Sequence, residues 1–201
     1  MSRPLTLLES ADLLGRWRYV ELAAFAHLGR RAPACEAPAL SAYLAGASLA
    51  HGWRAGVVEE LLPVSAGLPE PGTCTRAPSL ELVEALELAV DGDDVDLLDA
   101  LLGALYPAMA AGYAERLAVA SPAADPPVVR AVGRLLADLD AVRRDGAVLA
   151  GRLLPARPAR RRRVEELLGR GGGAFGPVLV TGGPTWSSGP ATPGEGPAGA
   201  S

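Results

Sequence analysis

The chain of 201 residues contains no lysine, asparagine, glutamine or isoleucine. The codons for these four residues are AT-rich or have few GC-rich synonyms, so their absence predicts a GC-rich bacterial genome. All 19 basic residues are therefore arginines, and the use of arginine in place of lysine carries no functional information here.

The sequence also lacks the marks of a membrane or secreted protein. No apolar run approaches the about 18–20 residues that a membrane span needs. The first residues, MSRPLTLLESADLL, contain no apolar stretch with a signal-peptide cleavage site. Cys35 and Cys74 are isolated and form no C-x-x-C pair, which is typical of a reducing compartment. We therefore expect a cytoplasmic protein with no membrane association.

Strand patterns are missing as well. Before residue 177 there is no alternating run of β-branched residues, whereas apolar residues recur at helical spacing. This pattern predicts an all-α bundle over 5–154, with four long helices that form two hairpins joined by one long connection. The long helices are expected from Thr6 onward, over 38–62, over 95–119 with Pro107 inside, and over 126–154, with a short helix over 80–90.

The charge is divided unevenly along the chain. Residues 1–151 contain 12 arginines and 20 acidic residues, a net charge of −8, whereas residues 152–170 contain 7 arginines and 2 glutamates, a net charge of +5. The run Arg160–Arg163 lies in a short basic helix predicted within 155–170. An acidic body would repel a phosphate backbone, so we expect this helix to lie on the body and expect no nucleic-acid partner.

The last segment, 171–201, is rich in residues that do not form a core. It has ten glycines and five prolines among 31 positions, a composition that predicts disorder. The apolar residues within 174–186, among them Phe175 and Trp186, indicate a short docking segment inside this tail.

One ionisable residue interrupts the apolar stripe of each of the first two helices. Glu21 lies among Trp17, Ala24 and Phe25, and His51 lies in the middle of the next stripe. A buried carboxylate without a partner would be costly. The two residues are interpreted as a hydrogen-bonded pair, alone or joined by Arg18 or Arg54, as a mononuclear metal site, or as a site for an organic ligand. The aromatic residues expected to fill the core are Trp17, Trp53, Tyr106 and Tyr113.

The short motifs around these two residues resemble a bacterial branch of the ferritin-like superfamily. The motif W-R-Y-V-E-L stands at Trp17–Leu22, and H-x-W-x-A stands at His51–Ala55. The phrases SPAAD at 121–125 and PVVR at 127–130 are similar to that branch too. The resemblance covers about residues 5–154 and implies a ferritin-like four-helix bundle with one crossover connection. It also implies a centre built from two glutamates and two Glu-x-x-His motifs.

Only three or four of the six implied metal ligands remain in this sequence. Glu21 matches the carboxylate of the first helix and His51 matches one histidine, but the glutamate position before that histidine is Ser48. Glu115 and Asp138 are candidates for the carboxylates of the third and fourth helices. The last histidine position is Ala141.

The candidate metal-site residues are therefore Glu21, His51, Glu115 and Asp138. The resemblance implies a degenerate metal centre, no bound cofactor, and a role as a binding or assembly protein. The alternative is a mononuclear iron-dependent oxidoreductase or hydroxylase that uses Glu21 and His51. The partners considered are a second copy of the chain, another protein and a small-molecule ligand.

Overall fold

The computed structural model describes residues 5–66, 68, 70–121, 125–152 and 158–177, and in these ranges the chain is all-α, with no strand. The α-helices are α1 (Leu7–Arg31), α2 (Pro38–Leu61), α3 (Pro71–Cys74), α4 (Leu80–Val90), α5 (Asp94–Ala100), α6 (Tyr106–Val119), α7 (Pro126–Ala150) and α8 (Pro158–Arg170). The predicted all-α class is confirmed.

The starts of the long helices follow from local signals in the sequence. The Thr6 hydroxyl accepts a hydrogen bond from the Glu9 N–H at 3.2 Å, and the Glu9 carboxylate accepts one from the Thr6 N–H at 2.8 Å. This reciprocal capping box satisfies two N–H groups that the helix itself leaves without partners. Proline stands at the first position of α2 and of α7, where its missing N–H costs nothing.

The third long helix is continuous from Asp94 to Val119 but widens in its middle. A π-helical turn covers Leu101–Leu105, and the Tyr106 N–H donates to the Leu101 carbonyl, five residues earlier. The wider turn lies directly before Pro107, a residue that lacks an N–H.

By length and composition alone, the helix Asp94–Val119 could cross a membrane. The evidence is weak because the core helix of a soluble protein passes the same test. In this fold its apolar residues have partners, since Leu97, Leu101 and Met109 are buried in the common core.

The long helices pack as two hairpins. Helix α1 packs on α2 after a short 3₁₀ turn at Ala32–Ala34, and α6 packs on α7 after residues 120–125. Helix α2 also packs on α7, which brings the two hairpins together. The connection between the hairpins contains α3 and α4, and both lie against α1.

The basic helix α8 lies on the acidic body, as predicted. Arg161 pairs with Asp99 at 3.3 Å and Arg163 pairs with Glu84 at 3.3 Å. Exposed pairs of this kind contribute about 0–1 kcal/mol each. The apolar side of α8 contributes more, because Val164, Leu167 and Leu168 are buried and each such side chain is worth about 1.5–3 kcal/mol.

The start of the C-terminal tail is packed, so the prediction of disorder from residue 171 is wrong for 171–177. Phe175 is 2 % exposed. The centroid of its ring lies 4.7 Å from the ring centroid of Tyr113 and 5.4 Å from that of Trp17. Arg16 donates to the Phe175 carbonyl at 2.6 Å and to the Pro177 carbonyl at 2.9 Å. Gly112 makes room for the ring, since a Cβ there would lie 2.5 Å from it. The remainder of the predicted docking segment lies outside the described residues.

Two aromatic residues that were expected in the core lie at the surface. Phe25 is 41 % exposed and Trp53 is 48 % exposed, whereas Trp17, Tyr106 and Tyr113 are buried as predicted. Helical spacing identifies the side of a helix that faces the core, but it does not define how far neighbouring helices cover that side. Phe25 and Trp53 lie on a part of the helix surface that neighbouring helices leave partly uncovered.

A chain that ends at Arg170 should unfold at a clearly lower temperature than a chain that ends at Pro177. The shorter chain loses the buried Phe175 ring and leaves the Arg16 guanidinium without its two carbonyl acceptors. Removing a buried phenylalanine side chain costs about 3–5 kcal/mol. Thermal unfolding followed by circular dichroism makes the comparison. Phe175→Ala in the full chain removes the buried ring alone and should also lower the unfolding temperature. Equal midpoints for the two truncated chains would contradict the packed tail.

Candidate functional site: a buried ion-pair cluster

Glu21 is the centre of a polar cluster inside the bundle. It projects from α1 and meets His51 and Arg54 from α2 and Tyr113 from α6, while Arg54 extends to Asp138 on α7. Glu21, His51, Arg54 and Tyr113 are each 0 % exposed, whereas the Asp138 side chain is 31 % exposed. Four helices therefore contribute to one hydrogen-bonded group.

The spacing of α2 places two of these partners on one side of the helix. His51 and Arg54 are three residues apart and both point at the Glu21 carboxylate. His51 Nδ1 lies 2.6 Å from Glu21 Oε2, and Arg54 Nε lies 3.0 Å from Oε1 and 3.1 Å from Oε2. The Tyr113 hydroxyl donates to Oε1 from the opposite hairpin. Both carboxylate oxygens of Glu21 are thus occupied by donors of the chain itself.

The protonation of this cluster follows from burial and charge. Burial alone would raise the pKa of Glu21, but His51, Arg54 and the hydrogen bonds outweigh burial and hold the pKa below its ordinary value. For His51 burial is the largest influence, and it lowers the pKa although Glu21 opposes it. Since burial lowers the pKa of His51 below its ordinary value of 6.5, we assign His51 as neutral at pH 7, where it acts on Glu21 through its hydrogen bond.

A neutral His51 has only one tautomer that fits this cluster. The ionised Glu21 carboxylate can only accept, so the ring carries its proton on Nδ1 and donates it to Oε2. Nε2 then holds a lone pair, and this atom is buried without a hydrogen-bond partner among the described residues. The ring of Tyr106 lies beside the imidazole, with the two ring centroids 5.7 Å apart.

Arg54 is the one cation that lies between two carboxylates of the cluster. Burial works against its charge, but Glu21, Tyr113 and Asp138 together raise its pKa above the ordinary value. Its Nε faces Glu21 and its Nη1 faces Asp138, so the guanidinium joins α1 to α7 through α2. Arg54 is therefore a permanent positive charge at the centre of the bundle.

The structure brings together three of the four residues that the sequence indicated for a metal site. Glu21, His51 and Asp138 belong to the cluster, and the predicted contact of Glu21 with His51 across the first hairpin is confirmed. Glu115 does not belong to it, and its inclusion is corrected. Its side chain is exposed and lines a surface groove beside Glu165, since it lies two residues from Tyr113 on the opposite side of α6.

Sequence reasoning listed the partners of Glu21 incompletely. Tyr113 was interpreted as core filling only, and no spacing rule connects a hydroxyl on α6 with a carboxylate 92 residues earlier. Arg18 and Arg54 stood as alternatives to join the pair, and Arg54 does so. Arg18 instead donates to Thr75 at 2.8 Å and to Glu59 at 3.0 Å.

The residues of the cluster do not fit a metal ion. Among the residues that the structure describes, no group of three histidine, cysteine or acidic side chains is arranged to hold one. Both carboxylate oxygens of Glu21 and Oδ2 of Asp138 already accept from Arg54. A cation of the chain thus stands where the ferritin-like resemblance implies a metal.

Comparisons with protein-family models, with curated proteins and with solved structures gave no match to this chain. The ferritin-like resemblance therefore stays a prediction from the sequence.

Replacing Arg54 with alanine should destabilise the protein far more than replacing Arg18 with alanine. Arg54→Ala leaves a buried Glu21 charge with neutral donors only, and breaking a buried pair in this way costs about 3–5 kcal/mol. Arg18 pairs with a carboxylate that is 52 % exposed, so Arg18→Ala should cost about 0–1 kcal/mol. Urea unfolding of both variants measures the difference, and similar losses would contradict the central role of Arg54.

The stability of the fold should fall between pH 7 and pH 5, and His51 should contribute to the fall. Its pKa in the folded protein lies below the ordinary value of 6.5, so in this window the unfolded chain binds a proton that the folded chain excludes. The contribution of His51 to the free energy of unfolding is therefore complete above pH 6.5, and it is lost as the pH drops towards the pKa of His51 in the folded protein.

The His51→Gln variant gives the measurement, since its unfolding free energy should depend less on pH in this window than that of the unaltered chain. The pKa of His27, the other histidine, is also lowered, by burial and by Arg30. His27→Gln is accordingly the matched control. In this variant the part of the pH dependence of the unfolding free energy that comes from His51 should remain. An unchanged slope in His51→Gln would show that His51 is not excluded from protonation.

Proposed function

We propose that this chain is a ferritin-like bundle whose metal centre has been replaced by a built-in cation, and that it acts as a binding or assembly protein. The order of the helices supports the ferritin-like assignment. Two hairpins of long helices are joined by one long connection that contains α3 and α4, which matches the crossover class of four-helix bundles.

The position of Arg54 is the observation that carries this proposal. A di-metal bundle needs carboxylates and histidines that point inward with their oxygen and nitrogen atoms free. Here the inward carboxylates of Glu21 and Asp138 both bind the Arg54 guanidinium. The Arg54 guanidinium supplies the positive charge that metal ions would otherwise supply between these carboxylates. Unlike a metal ion, it has no coordination position at which a substrate or oxygen could bind.

The chemistry of the cluster is consistent with a structural role. Glu21 is saturated with donors and its pKa is held low, so it is not available as a base near neutral pH. A binding or assembly protein needs a bundle with one defined packing that presents a surface, and a central ion-pair cluster joins residues of four helices in one arrangement. We further propose that the chain works in the bacterial cytoplasm, where the thiols of Cys35 and Cys74, which form no disulfide in the structure, would stay reduced.

One observation favours the alternative, a mononuclear iron-dependent oxidoreductase or hydroxylase. The lone pair on His51 Nε2 has no hydrogen-bond partner among the described residues, and an imidazole oriented by a carboxylate is a common metal ligand. The remaining ligands would have to come from Glu21 and Asp138, and Arg54 occupies both. The structural role is therefore the better supported one.

Metal loading distinguishes the two functions. After anaerobic incubation with Fe(II) and gel filtration, the unaltered chain should retain well below one iron ion per chain, because Arg54 blocks the carboxylates. The Arg54→Ala variant exposes two carboxylates and one imidazole to a shared space and should retain more iron than the unaltered chain.

Elemental analysis of both proteins gives the answer, with Arg18→Ala as the control for loss of an arginine. Stoichiometric iron in the unaltered chain, together with a change in absorbance on exposure to oxygen, would replace the structural role with the enzyme.

A further inference from the structure

The outer side of α2 carries no charge along most of its length. Within Pro38–Val58 the only charged residue is Arg54, and Arg54 is buried. The exposed positions of this stretch are Pro38, Ala39, Ala42, Ala45, Gly46, Leu49, Trp53 and Gly56. A helix that is apolar on all sides is normally covered on all sides.

Large apolar side chains stand in the middle of this uncharged face. Leu49 is 70 % exposed and Trp53 is 48 % exposed. Phe25 of α1 extends the face on one side, where it lies over Gly52: a Cβ there would be 3.2 Å from the ring. On the other side the face continues into a groove of about 480 Å³ between α2 and α7, whose edge carries Val148, 61 % exposed.

We propose that this face, from Pro38 to Gly56 with Phe25 and Val148 at its edges, binds a second copy of the chain, with α2 antiparallel to α2 about a two-fold axis. The spacing of its residues suits this symmetry. In an antiparallel pair centred at position 51, each residue faces the residue of the other copy whose number, added to its own, gives 102. Leu49 then faces Trp53, and Gly46 faces Gly56.

In this pairing the large side chains of each copy lie opposite large side chains of the other, and glycine lies opposite glycine. The two Leu49–Trp53 contacts form an apolar centre, and a two-fold interface has to be self-complementary in this way. The glycine pairs lie on either side of the centre. Nothing lies within 4 Å of a Cβ built on Gly46 or Gly56, so both positions are open to the indole of the other copy.

Charge also favours a second copy over other partners. The body over residues 1–151 has a net charge of −8, which would hold two copies apart at most other surfaces. Along α2 from Pro38 to Val58 two copies meet without burying an exposed charge, and the charged residues of the adjoining groove, Asp145 and Arg152, lie on its α7 side. At the rim Glu60 would face Ala42 of the other copy, so no acidic residue opposes another there. An acidic ligand such as a nucleic acid would find no exposed cation on α2 from Pro38 to Val58 and only Arg152 in the adjoining groove, beside Asp145.

The available area reaches the lower end of what a specific dimer needs. The face covers the part of α2 from Pro38 to Gly56, about 28 Å long, and with half of each neighbouring helix it is about 20 Å wide. This gives roughly 570 Å² for each copy, or about 1,100 Å² in total, against about 1,200–2,000 Å² for stable specific interfaces. This inference concerns a surface apart from the buried cluster, so it and the proposed function fail independently.

Sedimentation equilibrium tests the proposal. The unaltered chain should have twice the chain mass of 20.6 kDa. Leu49→Glu should be monomeric at the same concentration, because each copy would place a charge against Trp53 of the other. Leu80→Glu is the matched control, since Leu80 is 84 % exposed at the start of α4 and lies off the face. It should stay dimeric, and both variants should melt as folded helical proteins by circular dichroism.

A mixing experiment tests the register. Trp53→Arg alone should be monomeric, but a mixture of Leu49→Glu and Trp53→Arg chains should form a heterodimer, because the opposite charges would face each other. A monomeric unaltered chain, or a Leu49→Glu chain that remains dimeric, overturns the interface. A mixture that stays monomeric overturns the antiparallel register centred at position 51.

Discussion

The structure depends on satisfying one buried charge, the carboxylate of Glu21. A carboxylate that is completely removed from water is costly unless charged and hydrogen-bonding partners surround it. The chain supplies those partners from two further helices, with His51 and Arg54 on α2 and Tyr113 on α6. Arg54 then needs a second acceptor, and Asp138 on α7 provides it. The register of all four long helices is therefore tied to one polar group, which an apolar core alone would leave less defined.

Much of this arrangement could be predicted because its signals are local. The capping box at Thr6, the proline that opens α2 and the helical spacing of apolar residues each depend on a few neighbouring positions. Glu21 and His51 were predicted as partners for the same reason: each is the only ionisable residue in the middle of its stripe. The attraction between the basic helix α8 and the acidic body was also predictable, because it depends on net charge and not on exact geometry.

The parts that sequence analysis missed depend on contacts between distant segments. Phe175 is buried although glycines surround it, because Trp17 and Tyr113 leave a site for its ring and Arg16 binds the adjacent carbonyls. Composition averaged over the tail cannot detect such a site. Glu115 was placed in the centre because it lies on the correct helix, but it projects from the side opposite to Tyr113. A single polar residue near a helix end gives no measure of its direction.

Helix α2 combines the two properties that distinguish this chain. Its inner side carries an arginine, and this removes from its outer side the only charge that the helix has between Pro38 and Val58. Bundle helices usually have their charged residues on the outside, where water solvates them at no cost. Reversing this arrangement places a permanent cation between the carboxylates of Glu21 and Asp138 and leaves Leu49 and Trp53 in a neutral face. The proposed loss of a metal site and the proposed gain of an apolar contact surface therefore follow from the same distribution of charge on one helix.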